Sequence, residues 1–173
     1  MAKYRVQPTT VELKMREDDF IVSKTDPKGR ITYANRIFIE FSGYSERELL
    51  KAPHNIIRHP DMPRGVFKYL WTTLEAGKEC FAYVKNMSRQ GAYYWVFANV
   101  TPSYNLRGEL DGYMSVRRRP SVEAVKLCGD LYRVMLEAEQ QAGPRDAVSA
   151  SLALLNNHLA QRGLSYEQFI LSI

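Results

Sequence analysis

The chain has 173 residues, enough for one domain with a real core and an extension. Its 45% hydrophobic and 25% charged content is that of a globular protein. A net charge of +5 without a basic stripe interleaved with aromatics argues against a nucleic-acid partner, and Arg117-Arg118-Arg119 reads as a solvated strand exit. No apolar run reaches the ~20 residues of a membrane helix, and the first ten residues lack the apolar centre of a signal peptide. A soluble, cytoplasmic protein without direct membrane insertion is therefore expected. Cys80 and Cys128 are too few and too far apart for a disulfide framework and read as reduced thiols.

Residues 1–18 are polar and mixed, an N-terminal cap or arm with room for a short strand over 11–13. Residues 20–25 read as a strand and 30–34 as its return. Between them, Asp26-Pro27-Lys28-Gly29 has turn residues at turn positions. Ile37, Phe38 and Phe41 are spaced for a short helix that Gly43 stops. Ser45 and Glu48 form a capping box, with Tyr44 and Leu49 as the hydrophobic staple, so a second short helix starts at Ser45. The stretch 53–71, PHNIIRHPDMPRGVFKYLW, is the least ordinary part of the chain. Its three prolines pin φ and bias the residues before them away from helix, which gives a rigid polar turret. A helix over 63–76 follows, with Val66, Phe67, Leu70, Trp71 and Leu74 on one face and Gly77 as its stop.

The next part is rich in strands, over 80–84, 93–101 and 110–118, with turns at Gly91 and Gly108. Five strands with short helices inserted after the second make an α+β domain with one antiparallel sheet over 19–120. Residues 121–173 form a helical extension. Stripes over 121–141 and 146–161 are separated by Gly143-Pro144, and a capping box at Ser165 and Gln168 opens a third helix. Such stripes need cover from the sheet, from each other or from a second copy.

The segments GRITYAN (29–35), FSGYSERELL (41–50), PHNIIRHPDMP (53–63), VKN (84–86), YYWVFANVTP (93–102) and GYMSVRRR (112–119) resemble the PAS sensory domain of bacterial aerotaxis receptors. The resemblance covers about residues 18–120. It implies a PAS fold, with short helices on one face of the sheet, that binds FAD without a covalent link and reads redox state. By motif it points to Asn35, Arg58, His59, Asp61, Phe67, Trp71, Asn86 and Tyr94 as cofactor contacts. Cys80 departs from the pattern, because relatives often carry Trp there.

The chemistry of these residue types suits a flavin. Phe67 and Trp71 offer aromatic walls for a flat ring, Asn35 and Asn86 offer carboxamides to its polar edge, and Arg58 is a fork for a diphosphate. Each also has a structural role open to it. Phe67 and Trp71 can be core, and Asn35 can cap the helix after it. Asp61 can cap the helix at Pro63 and pair with Arg58, and His59 can be a structural imidazole. The expected function is a non-catalytic redox sensor in an energy-taxis system. It would report to a chemoreceptor-like or other signalling protein, and a homodimer is one arrangement open to it.

Two other readings stand beside this one. In the first, a haem-binding gas sensor is ligated through His54 or His59. In the second, an empty PAS domain serves dimerisation. A light sensor that forms a cysteinyl adduct is excluded, because 53–71 contains no Cys. FAD is favoured over FMN by the resemblance alone.

Overall fold

Asp26 turns the chain at its first hairpin. Its side chain accepts from the N–H groups of Lys28 and Arg30, both at 2.9 Å, and Gly29 takes positive φ to close the turn. This joins β1 (Ile21–Thr25) to β2 (Ile31–Ala34). The computed structural model describes residues 6–173; the first five residues of the expected N-terminal arm lie outside them.

Two short helices follow, each with the cap its sequence predicts. Asn35 caps α1 (Arg36–Ser42), and Gly43 ends it in the left-handed region. Ser45 and Glu48 form the reciprocal capping box of α2 (Glu46–Leu49). The turret begins as a single 3₁₀ turn, His54–Ile57, after Pro53. It leads into α3 (Arg64–Glu75), which buries Val66, Leu70 and Leu74. The expected first strand after this helix runs further than its apolar residues suggested, as β3 (Cys80–Met87). β4 (Tyr93–Tyr104) and β5 (Leu110–Arg118) complete an antiparallel sheet in the order β2-β1-β5-β4-β3.

That order puts β5 in the centre and β3 at an edge. Short hairpins link β3 to β4 and β4 to β5, while the helices fill the crossover from β2 at one edge to β3 at the other. Side chains alternate across a strand. Cross-strand pairs therefore set Ser23 beside Ser115, Thr25 beside Tyr113, and Ala98 beside Arg117 on one face. The expected strand over 11–13 is reduced to one parallel bridge, Glu12 to Tyr93, with N–H bonds at Tyr93 and Leu13.

The extension covers the β3 edge. α4 (Val122–Arg162) breaks at Gly143, where Pro144 cannot continue the hydrogen-bond ladder. Its first arm lays Tyr132 on Trp95 and donates the Tyr132 hydroxyl to the Tyr83 carbonyl at 2.8 Å. The second arm runs along α3, so close that a Cβ on Gly65 would lie 2.5 Å from the Ser151 hydroxyl. α5 (Tyr166–Leu171), opened by its predicted capping box, brings Tyr166 against Tyr69 at 4.2 Å and wedges Phe169 and Ile170 into the core. The sheet and the helices themselves both cover the helical stripes. Cys80 and Cys128 are both buried and free, and burial pushes each thiol up to about 12.

Candidate functional site

A cavity of about 390 Å³ lies between the 3₁₀ turn and α3 on one side and the alternating face of β1, β5, β4 and β3 on the other. Ile57, Phe67, Leu70, Trp71 and Leu74 form the helical wall; Val84, Ala98, Val100 and Tyr113 form the sheet wall. Trp71 stands edge-on to Tyr113 at 5.3 Å, so the two rings stiffen one corner. The volume falls within the ~300–1,000 Å³ of small-molecule sites.

One end of this apolar slot is polar. Arg117 lines it although only 2% of the residue is exposed, which corrects the expectation of a solvated strand exit there. Its Nη2 donates to the Ser23 hydroxyl, and its guanidinium carbon lies 4.6 Å from the Phe38 ring centre. Among the described residues its Nε and Nη1 have no partner; nor does the hydroxyl of Thr25, which lines the cavity opposite Tyr113. Burial pushes Arg117 down to about 10, which leaves it charged at neutral pH. The His54 ring stacks on Phe38 at 5.7 Å, with Nε2 3.1 Å from the Ser23 hydroxyl. Burial and the Arg117 charge hold His54 down at about 3, so it is neutral. Alternation along GYMSVRRR contained the signal for Arg117: Tyr113, Ser115 and Arg117 share one face. The run of three arginines masked it.

Arg58 stands where this cavity meets a wider, more open cleft of about 1040 Å³ lined by Arg64, Glu139, Gln140 and Pro144. Its guanidinium lies 4.1 Å from the Phe67 ring centre and donates to the Met62 carbonyl at 3.1 Å. Burial holds it below its ordinary value, partly offset by Glu139. The main chain of Arg58 bridges to that of Asn86. The carboxamide of Asn86 has no hydrogen-bond partner among the described residues and faces the cavity.

Of the eight expected contact residues, Arg58, Phe67, Trp71 and Asn86 surround the cavity, and four stand elsewhere. Asn35 is spent on the backbone: its Oδ1 accepts from Val22 and Phe38, and its Nδ2 donates to Phe20. Tyr94 shares the face of β4 that carries Ala98 and Val100 but is not among the lining residues; it is fully buried, 5.4 Å from Phe41, and its hydroxyl has no partner among the described residues. His59 is buried beside the wider cleft, and its Nδ1 accepts from the Asp61 N–H at 3.1 Å. Asp61 neither caps α3 nor pairs with Arg58, as one of its expected roles required; it meets Lys85 at 2.6 Å. A turn over 59–62, closed by the Met62 N–H on the His59 carbonyl at 3.1 Å, holds Asp61 at its tip, where it meets the lysine of β3. The acceptor for the first turn of α3 comes from afar: Glu139 accepts from the Gly65 N–H at 3.1 Å.

A family profile described as the PAS fold matches residues 31–117. The Aerotaxis receptor of Escherichia coli (strain K12) is 40% identical over 121 residues, 70% of this chain and 24% of the receptor. The Nitrogen fixation regulatory protein of Klebsiella pneumoniae is 34% identical over 101 residues, 58% of this chain and 20% of that protein. The chain thus spans about a quarter or less of the length of these two curated relatives. A solved light-oxygen-voltage domain, studied with a flavin analogue, superposes with a TM-score of 0.56 at 21% identity, covering 63% of this chain and 82% of the other. Among the described residues no helix is long and apolar enough to cross a membrane.

Proposed function

The chain belongs to the PAS family, and from that premise we propose that it is a non-catalytic redox sensor that holds FAD without a covalent bond and reports to a separate signalling protein. The observation that carries this reading is the chemistry of the cavity. Apolar walls around a cavity of about 390 Å³ end at Arg117, a buried cation whose Nε and Nη1 have no partner among the described residues. Buried donors are normally satisfied, so such a set calls for a ligand rich in acceptors at one edge. A flavin ring has carbonyl oxygens and ring nitrogens there. The residues present fit it.

Phe67, Leu70, Trp71 and Val100 would enclose the ring, Asn86 and Thr25 would answer its donors and acceptors, and Arg117 would close the polar end. Arg58, between the cavity and the wider cleft, would meet the diphosphate, with the nucleoside beyond it. This continuation is what favours the dinucleotide over FMN on structural grounds. Asn35, His59, Asp61 and Tyr94 would brace the walls from outside. A bound flavin supplies reversible electron storage. The protein's part is to orient the ring, exclude water and couple the ring's charge to the sheet and to α3. The relatives named above are receptor and regulatory proteins, which supports a signalling partner.

The test is direct. The purified chain should be yellow and fluorescent, and heat should release FAD, identified by chromatography. A colourless protein that takes up no added FAD would overturn the reading and leave the empty dimerisation module. A Soret band would replace the flavin with haem.

A further inference from the structure

Arg117 is the buried charge that the fold leaves least compensated. It lies in the central strand, opposite Ile21 on β1 and Ala98 on β4, so no bulk water reaches it from either side. The ion pairs of the described residues engage Asp19, Glu48 and Asp61 with other cations, and none includes Arg117. Its contacts are a serine hydroxyl and the face of Phe38. Burying a cation without a counter-ion is costly, and the cavity that Arg117 lines is the space beside it that can take an anion.

Taking the cavity as a flavin site, we propose that Arg117 is the counter-charge of the bound ring: from the polar end of the cavity its positive charge favours the reduced, negatively charged ring over the neutral oxidised one. A soluble low-potential donor that gives up two electrons, together with one proton from solvent, converts the neutral ring to one bearing a single negative charge. That charge forms beside Arg117, where little water screens the attraction. Arg117 therefore raises the reduction potential of the site and sets the range of donors to which the sensor responds. His54, Tyr94, Tyr113, Lys28 and Arg58 are the other titratable or charged groups around the cavity or against Arg117. His54 is held down at about 3 and burial holds both tyrosines above their ordinary value.

The experiment is an anaerobic dye-coupled redox titration of the full chain as Arg117→Gln and Arg117→Lys beside the parent. Glutamine keeps donors and removes the charge. It should hold flavin and lose at least tenfold in its preference for the reduced ring, a downward shift of about 30 mV or more for a two-electron couple. Lysine keeps the charge and should stay within about threefold of the parent. A Gln variant that carries flavin at the parent's potential overturns the proposal. A second measurement needs no variant. With one proton per two electrons, the parent's potential should fall by about 30 mV per pH unit from about pH 5.5 to 8. A slope of about 60 mV per unit there, meaning two protons and a neutral reduced ring, overturns it. If the parent binds no flavin, the cofactor reading itself has failed and this inference falls with it. A parent that binds flavin with an unshifted Gln variant refutes the role of Arg117 alone.

Discussion

Glu139→Ala isolates the link between the helical extension and the helix that walls the cavity. α3 starts after Pro63, which offers no side-chain acceptor to the first-turn N–H groups. Glu139, 74 residues away, accepts from Gly65 at 3.1 Å, and the residue is 8% exposed. Truncation leaves a buried donor unpaired, which costs roughly 1–3 kcal/mol. A lost helix cap costs roughly 0.5–2 kcal/mol. These are two measures of the same loss, so they are not summed, and about 2 kcal/mol is expected. For a chain of this length 1 kcal/mol moves Tm by about 2–4 °C, so the variant should melt about 4–8 °C lower. Glu139→Gln keeps an acceptor and should lose about half as much. Glu137→Ala is the control. It lies on the same helix arm, exposed, 3.4 Å from Arg133, and should change stability by less than about 0.5 kcal/mol. The assay is thermal unfolding by circular dichroism on cofactor-free protein, because a bound ligand would add stability of its own. An alanine variant that melts within about 1 °C of the control would refute the reasoning.

Three further outcomes are expected. Acid should destabilise the fold through two histidines kept neutral, His54 at about 3 and His59 at about 4. Their unfolded counterparts bind protons below about pH 6.5, so each group costs up to roughly 1.4 kcal/mol per pH unit as pH falls from there towards its folded value. His59→Asn, which keeps an acceptor for the Asp61 N–H, should flatten urea-derived stability against pH over that window; an unchanged slope would exclude His59 as a contributor. Val100→Phe projects a ring into the cavity and should abolish flavin uptake while the cofactor-free Tm holds or rises, and uptake at the parent's level would mean that the ligand binds elsewhere. Arg58→Ala removes the cation at the cavity's junction with the cleft. It should weaken FAD about tenfold to a hundredfold and leave riboflavin affinity unchanged in fluorescence titrations, and equal losses for both would move the diphosphate away from Arg58.

Much of the fold is legible in local signals. The Asp26 turn, the Ser45 and Ser165 capping boxes, the Gly43 and Gly163 stops and the break at Gly143 each rest on hydrogen bonds or dihedral preferences spanning a few residues. The stripe on α3 predicted which helical residues would face inward, and Phe67 and Trp71 do line the cavity. The site was less legible. Arg117 read as one of three surface arginines, and Asp61 read as the nearest cap for α3. Local spacing could not show that β5 would be the middle strand, which buries Arg117 and brings it to Ser23, 94 residues away.

The sequence by itself determined the order and type of elements, because turns, caps and periodicity are decided between near neighbours. Only the tertiary structure decided which cation is buried without a counter-ion among the described residues, which carboxylate caps α3, and which edge of the sheet the extension covers. Those outcomes depend on strand order and on contacts across the whole chain, where desolvation, rather than spacing, sets what each charge must meet.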